Sequence, residues 1–134
     1  MRLNEDEIIA DFALCGTWEE KYEHLIELGG DIPLIKAEKK TAAHLINGCQ
    51  SQVWLDCEKR DDRLYFYGDS DALISKGLAA LIIKLFSGGT ALEILNYNNS
   101  VFEKIKLNQN LSMTRSNGLV MMIKQIKKYA QKNI

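Results

Sequence analysis

Two runs of alternating residues, followed by a helix apolar nearly all the way round, constrain this chain more than any other feature. Val53, Leu55 and Cys57 share one face of a segment from about Gln50 to Glu58, and Gln52, Trp54 and Asp56 share the other. That period of two marks a half-buried strand. Arg63-Leu64-Tyr65-Phe66-Tyr67-Gly68 makes a second strand, and Lys59-Arg60-Asp61-Asp62 between them reads as a longer, charged hairpin loop. Asp69-Ser70-Asp71 then caps a helix over Ala72 to Phe86, apolar around most of its circumference. Such a helix is expected to lie centrally on the sheet. The predicted class is α+β, a small antiparallel sheet packed against helices.

The flanking segments supply those helices. Asn4-Glu5-Asp6-Glu7 is a helix start, with Ile8, Phe12 and Cys15 forming an apolar stripe. Gly16 breaks the pattern, and Thr17-Trp18-Glu19-Glu20 is a capping box. The second helix turns Tyr22, Leu25, Ile26 and Leu28 inward and ends at Gly29-Gly30, so the two helices are expected to form an antiparallel hairpin. Residues 31–46 read as irregular. Ser87-Gly88-Gly89 stops the central helix and Thr90-Ala91-Leu92-Glu93 opens a short one, while Val101 to Leu107 fits either helix or strand. A last helix, from about Ser112 or Arg115 to Lys132, carries Leu119, Met122, Ile123 and Ile126 inward. Its lysine-rich end complements the negative pole of the helix dipole.

At 134 residues the chain is one domain, 1–134, large enough to need no metal or disulfide staple. A net charge of -1 offers no basic excess for a phosphate backbone, so no nucleic-acid partner is expected. The longest apolar stretch, Leu78 to Phe86, is interrupted by Lys84 and is too short to span a bilayer, so no membrane partner is expected either. The acidic start Met1 to Glu7 lacks a signal-peptide run, and three cysteines cannot all pair within the chain. Free thiols in a reducing cytoplasm are the expectation.

The cysteines differ in setting. Cys15 lies on an apolar helical stripe and Cys57 on the strand face of Val53 and Leu55, both settings that suit a small core residue. Cys49 stands behind Gly48 and among the polar residues Asn47, Gln50, Ser51 and Gln52, where loop turns into strand. Glycine lets the chain bend sharply there, so the thiol is either an incidental loop cysteine or a nucleophile a partner can reach. No Cys-x-x-Cys and no nearby histidine pair completes a zinc pattern, and no metal site is expected. His44, five residues before Cys49, reads as a ligand, a base or a solvated loop histidine. Arg115 sits near the positive end of the last helix, where cations are disfavoured. Its placement there asks for a local reason: an acidic neighbour, the ordering of a loop, or contact with a partner.

Three segments resemble the SufE family of sulfur acceptors, which work with cysteine desulfurases in iron–sulfur cluster assembly. The first is Trp18-Glu19-Glu20-Lys21-Tyr22 with Ile26-Glu27-Leu28-Gly29. The second is Ile46-Asn47-Gly48-Cys49-Gln50-Ser51-Gln52-Val53-Trp54-Leu55, followed by Gly68-Asp69-Ser70-Asp71-Ala72 and Lys76-Gly77-Leu78. The third is Leu107 to Leu111 with Arg115-Ser116-Asn117-Gly118-Leu119. The resemblance implies a fold shared with IscU-type scaffolds and Cys49 as the sulfur-accepting residue. It also implies that Gly48, Gln50, Ser51, Gln52, Asp71 and Arg115 set the cysteine loop or meet the partner. His44 departs from the commoner pattern, in which asparagine often stands, and Cys15 and Cys57 match no functional position.

The implied activity is that of a sulfur carrier. It takes persulfide sulfur from a SufS-like cysteine desulfurase, stimulates that enzyme, and passes sulfur to a SufB-like iron–sulfur scaffold. The chain is then a transpersulfuration partner and not a stand-alone enzyme. It has no cofactor of its own beyond a covalent persulfide on Cys49, since the pyridoxal phosphate belongs to the desulfurase. The alternative is a scaffold or regulatory module that binds a desulfurase or a nascent cluster.

Overall fold

A computed structural model describes residues 4–109 and 111–134, with Asn108 as backbone only; Asn110, within the third matching segment, and Met1 to Leu3 lie outside the described residues. Helix α1 spans Glu5–Ala13 and α2 Trp18–Gly30; strands β1, Val53–Arg60, and β2, Arg63–Ser70, precede α3, Leu73–Phe86. A two-residue strand β3, Gly89–Thr90, leads into α4, Ala91–Asn96, then α5, Ser100–Lys104, and α6, Met113–Lys132. The expected α+β class is borne out as a three-stranded antiparallel sheet of order β1-β2-β3 under helices.

The hairpin is tighter than its charged loop suggested. Arg60 pairs with Arg63, leaving Asp61-Asp62 as a two-residue turn with Asp61 at φ 56. Aspartate tolerates that left-handed position. Arg60 lies over the Tyr65 ring, 3.9 Å from its centroid, and donates to the Tyr67 hydroxyl. The outer end of β1 is exposed on both faces, so alternation alone could not extend the strand to Arg60. At its other end β1 starts at Val53 and not at Gln50, because residues 50–52 belong to the cysteine loop. Neither β3 nor the parallel bridge from Leu34 to Gly68 had a periodic signal, being too short to show one.

Helix α3 is the expected centre, with residues 77–83, Leu85 and Phe86 buried. Its cap differs from the one expected. Asp69 and Ser70 extend β2, the helix begins after Ala72, and no side chain caps it. The Asp71 carboxylate is engaged instead by the backbone N–H of Gln52. Helix α2 crosses α3 closely at Gly77, where a Cβ would collide with the Leu25 carbonyl oxygen. On α2, Leu25 is buried while Tyr22 and Leu28 are half-buried; Ile26, expected inward, is exposed. Helix α1 packs chiefly on α5 and α3 and meets α2 through an edge contact of Phe12 with His24, so the expected helical hairpin is loose. The buried Glu5 secures α1 to α5, accepting from Ser100 Oγ at 2.9 Å and pairing with Lys104. The segment open to two readings is helical over residues 101–104, turns at Ile105 and Lys106 (φ 58), and enters a single 3-10 turn at Leu107.

Candidate functional site

The cysteine loop is a hairpin tip with a stapled stem. Ile46 N–H donates to Val53 O at 2.8 Å and Leu55 N–H to His44 O at 3.0 Å, with Leu45 bridging Trp54. Ile46 is buried and anchors the stem in the core. Between the staples, Gly48 takes φ +89, and the place of its missing Cβ lies 3.1 Å from Met121 Cγ on α6. Both the conformation and the close approach suit glycine. At the far end the Gln52 peptide is clamped from two sides. Asp71 Oδ1 accepts from its N–H at 3.0 Å, and its carbonyl accepts from Asp71 N–H and Ser70 Oγ.

This frame turns the Cys49 thiol toward α6, where Sγ–H points at Gly118 O, 3.8 Å away. Cys49, Gln50 and Ser51 line a cleft of about 660 Å³ together with Ile26, Leu73 and Arg115. Burial pushes the Cys49 thiol above its ordinary pKa. In this half-buried position the protonated thiol is favoured over the thiolate. Arg115, exposed, pairs with no carboxylate among the described residues, which removes the acidic-neighbour reading and leaves its charge facing the cleft. Leu73 on the wall is 67% exposed, and Met113, between the lining residues Ser112 and Thr114, is 81% exposed. Exposed apolar side chains therefore rim the cleft.

The structure thus brings Cys49, Gln50, Ser51 and Arg115 together at the cleft, while Gly48, Gln52 and Asp71 shape the loop from behind. It separates the remaining candidates. His44 Nε2 lies 3.3 Å from Asp56 Oδ1, off the cleft, and its side chain is mostly covered, so it is not a solvated loop histidine. Cys57 packs against the core, and burial, aided by Asp56 and Glu58, pushes its thiol up to about 11. Cys15 donates to Asp11 O, with its pKa also raised by burial. Sequence reading missed Ile26, Leu73 and Met113 on the rim, and Gly118 and Met121 under the loop. The exposed rim breaks helical amphipathicity, and which face of a helix a loop covers leaves no local trace. Among the described residues no group of three or more His, Cys, Asp or Glu converges as a metal site, and no helix is long and apolar enough to cross a membrane.

A small antiparallel sheet covered by helices in this way is a fold seen before. It matches the solution structure of a hypothetical protein from Thermus thermophilus with a TM-score of 0.81, over 99% of this chain and 98% of that one, at 15% identity. The SufE family model, described as an Fe-S metabolism associated domain, matches residues 6–130. An uncharacterized SufE-like protein of Rhizobium etli is 42% identical over 94% of this chain and 88% of its own length. One from Rhizobium meliloti is 41% identical over 94% of each. The chain belongs to the SufE family, and its role lies in iron–sulfur metabolism.

Proposed function

We propose that the protein accepts persulfide sulfur on Cys49 from a cysteine desulfurase and carries it toward iron–sulfur assembly. The observation that carries this reading is the sorting of the three thiols. Cys49 alone lines the cleft with Arg115 and the exposed apolar rim, while Cys15 and Cys57 lie elsewhere. A protein surface that covers Leu73, Met113 and Ile26 meets this sulfur and neither of the others.

The step is an exchange at divalent sulfur. The Cys49 thiolate attacks the outer sulfur of the donor's cysteine persulfide; a new S–S bond forms to Cys49, the donor's S–S bond breaks, and the donor cysteine leaves as thiolate. The persulfide proton stays on the transferred sulfur and the Cys49 proton passes to solvent, so no external oxidant or reductant enters. Attack needs a thiolate, whereas the docked loop favours the thiol. Docking of the desulfurase therefore draws the loop off Gly118 and Met121, returning Cys49 to an ordinary pKa beside the Arg115 guanidinium. Re-docking shields the persulfide between transfers. Removal of sulfur from the desulfurase stimulates its turnover, and the recipient is an iron–sulfur scaffold in the cytoplasm.

Intact-mass analysis after mixing with a desulfurase, cysteine and pyridoxal phosphate tests the assignment. The expected result is a gain of one sulfur atom mapped to Cys49 and absent from Cys49→Ser. A sulfur adduct that persists in Cys49→Ser refutes it.

A further inference from the structure

Helix α6 has two working sides. At 100° per residue, Arg115, Gly118 and Met122 face the thiol cleft, and Val120, Lys124, Lys127 and Lys128 fall on the opposite side. There they meet Leu95 of α4 and Asn99 in a groove of about 540 Å³ that no acidic side chain lines. We propose that this groove docks an acidic amphipathic helix of a partner protein, leaving the thiol cleft free for the desulfurase.

Three observations point to that occupant. The first is charge. Helix α6 carries five of the chain's 17 cations and none of its 18 acids, although the whole chain is at -1. Lys127 is committed internally, its ammonium donating to the carbonyls of Ile94 at 2.6 Å and Tyr97 at 2.7 Å, where it caps α4. Lys124 and Lys128 are exposed and make no ion pair with a described residue, so their charge faces outward at the groove. The second is apolar surface. Val120 is 49% exposed, and with Ile123 and Leu95 it forms a strip between the lysines. A concave apolar strip flanked by cations matches a protruding helix with aliphatic residues at i, i+3 and i+4 and carboxylates beside them. From Val120 to the lining residue Gln131 the groove runs about 16 Å, three helical turns. The third is an unpaired acceptor. Asn99, held in a left-handed conformation at φ 63, has a buried carboxamide oxygen without a hydrogen-bond partner. A guest's hydroxyl or side-chain N–H would satisfy it once the Asn99 carboxamide turns outward into the groove it lines.

The probe is a synthetic helical peptide with leucine at i, i+3, i+4 and i+7 and glutamate elsewhere, titrated into the full chain by calorimetry and by backbone amide NMR. Saturable binding is expected, with shift changes confined to Leu95, Asn99 and residues 120–131. Binding should weaken about tenfold or more in Lys124→Glu/Lys128→Glu and separately in Val120→Asp. Sulfur acceptance at Cys49 should stay intact in both variants, which separates failure here from failure of the acceptor reading. The proposal is overturned by any of four results. These are no saturable binding, equal binding of a scrambled peptide of the same charge, variants that bind as the parent does, or capture by anionic phospholipid vesicles in place of the peptide.

Discussion

Replacing Gly48 with alanine tests whether the docked loop is what shields the thiol. Alanine at φ +89 pays the left-handed penalty, about 1–2 kcal/mol. The new Cβ would also press on Met121 at 3.1 Å, but the atoms met there belong to a flexible side chain that can swing aside. The backbone term therefore dominates, and it acts on the docked loop alone, since a released loop can relax its φ. An opening equilibrium shifted by about 1–2 kcal/mol raises the open population about 5- to 30-fold. The assay is iodoacetamide alkylation of Cys49 at neutral pH in a Cys15→Ser/Cys57→Ser background, followed by mass spectrometry. Because the docked thiol has a raised pKa, alkylation reports the open form, and the rate should rise by that factor. Adding Met121→Ala should restore little of the slow rate. An unchanged rate in Gly48→Ala refutes shielding by the loop, and full rescue by Met121→Ala refutes the backbone argument.

Three further outcomes are expected. Cys57 is protonated in the fold up to about pH 11 but titrates near 9.0 when unfolded, so the unfolded state loses its proton first. Stability is then full below pH 9.0 and falls as pH rises toward 11; Tyr129, pushed up to about 12 by burial, extends the decline, and Cys57→Ala should make the fall of Tm with pH shallower between those limits. Gly77→Ala forces α2 and α3 apart at the Leu25 carbonyl and should cost about 1–3 kcal/mol or more in urea unfolding; an unchanged midpoint would contradict the close crossing. Arg115→Ala should lower sulfur transfer to Cys49 about tenfold with an unaltered Tm, and a loss of stability in its place would make the guanidinium structural.

How much of this was legible in the chain depends on the range of each interaction. The sheet hairpin, the buried α3 and the inward face of α6 rest on periodicity, which neighbouring residues carry by themselves. Thr90 to Glu93 likewise open the short helix expected there, and the structure shows them closing a capping box. The Asp69 to Asp71 run shows the limit. Its composition fits a helix cap, but Asp71 is used across 19 residues by Gln52, and a local rule has no knowledge of that competitor.

The residues alone determined that a glycine and a cysteine share a polar bend before a strand, apart from the two cysteines in apolar settings. Only the folded chain decided what that thiol faces. Gly118, Met121, Leu73 and Arg115 come from helices distant in sequence; the first two pack under the cysteine loop, the last two share the cleft with the sulfur, and partial burial there raises the pKa of Cys49. A thiol's identity is covalent, whereas its ionisation and access depend on the dielectric and charges within a few ångströms, and long-range packing alone supplies those.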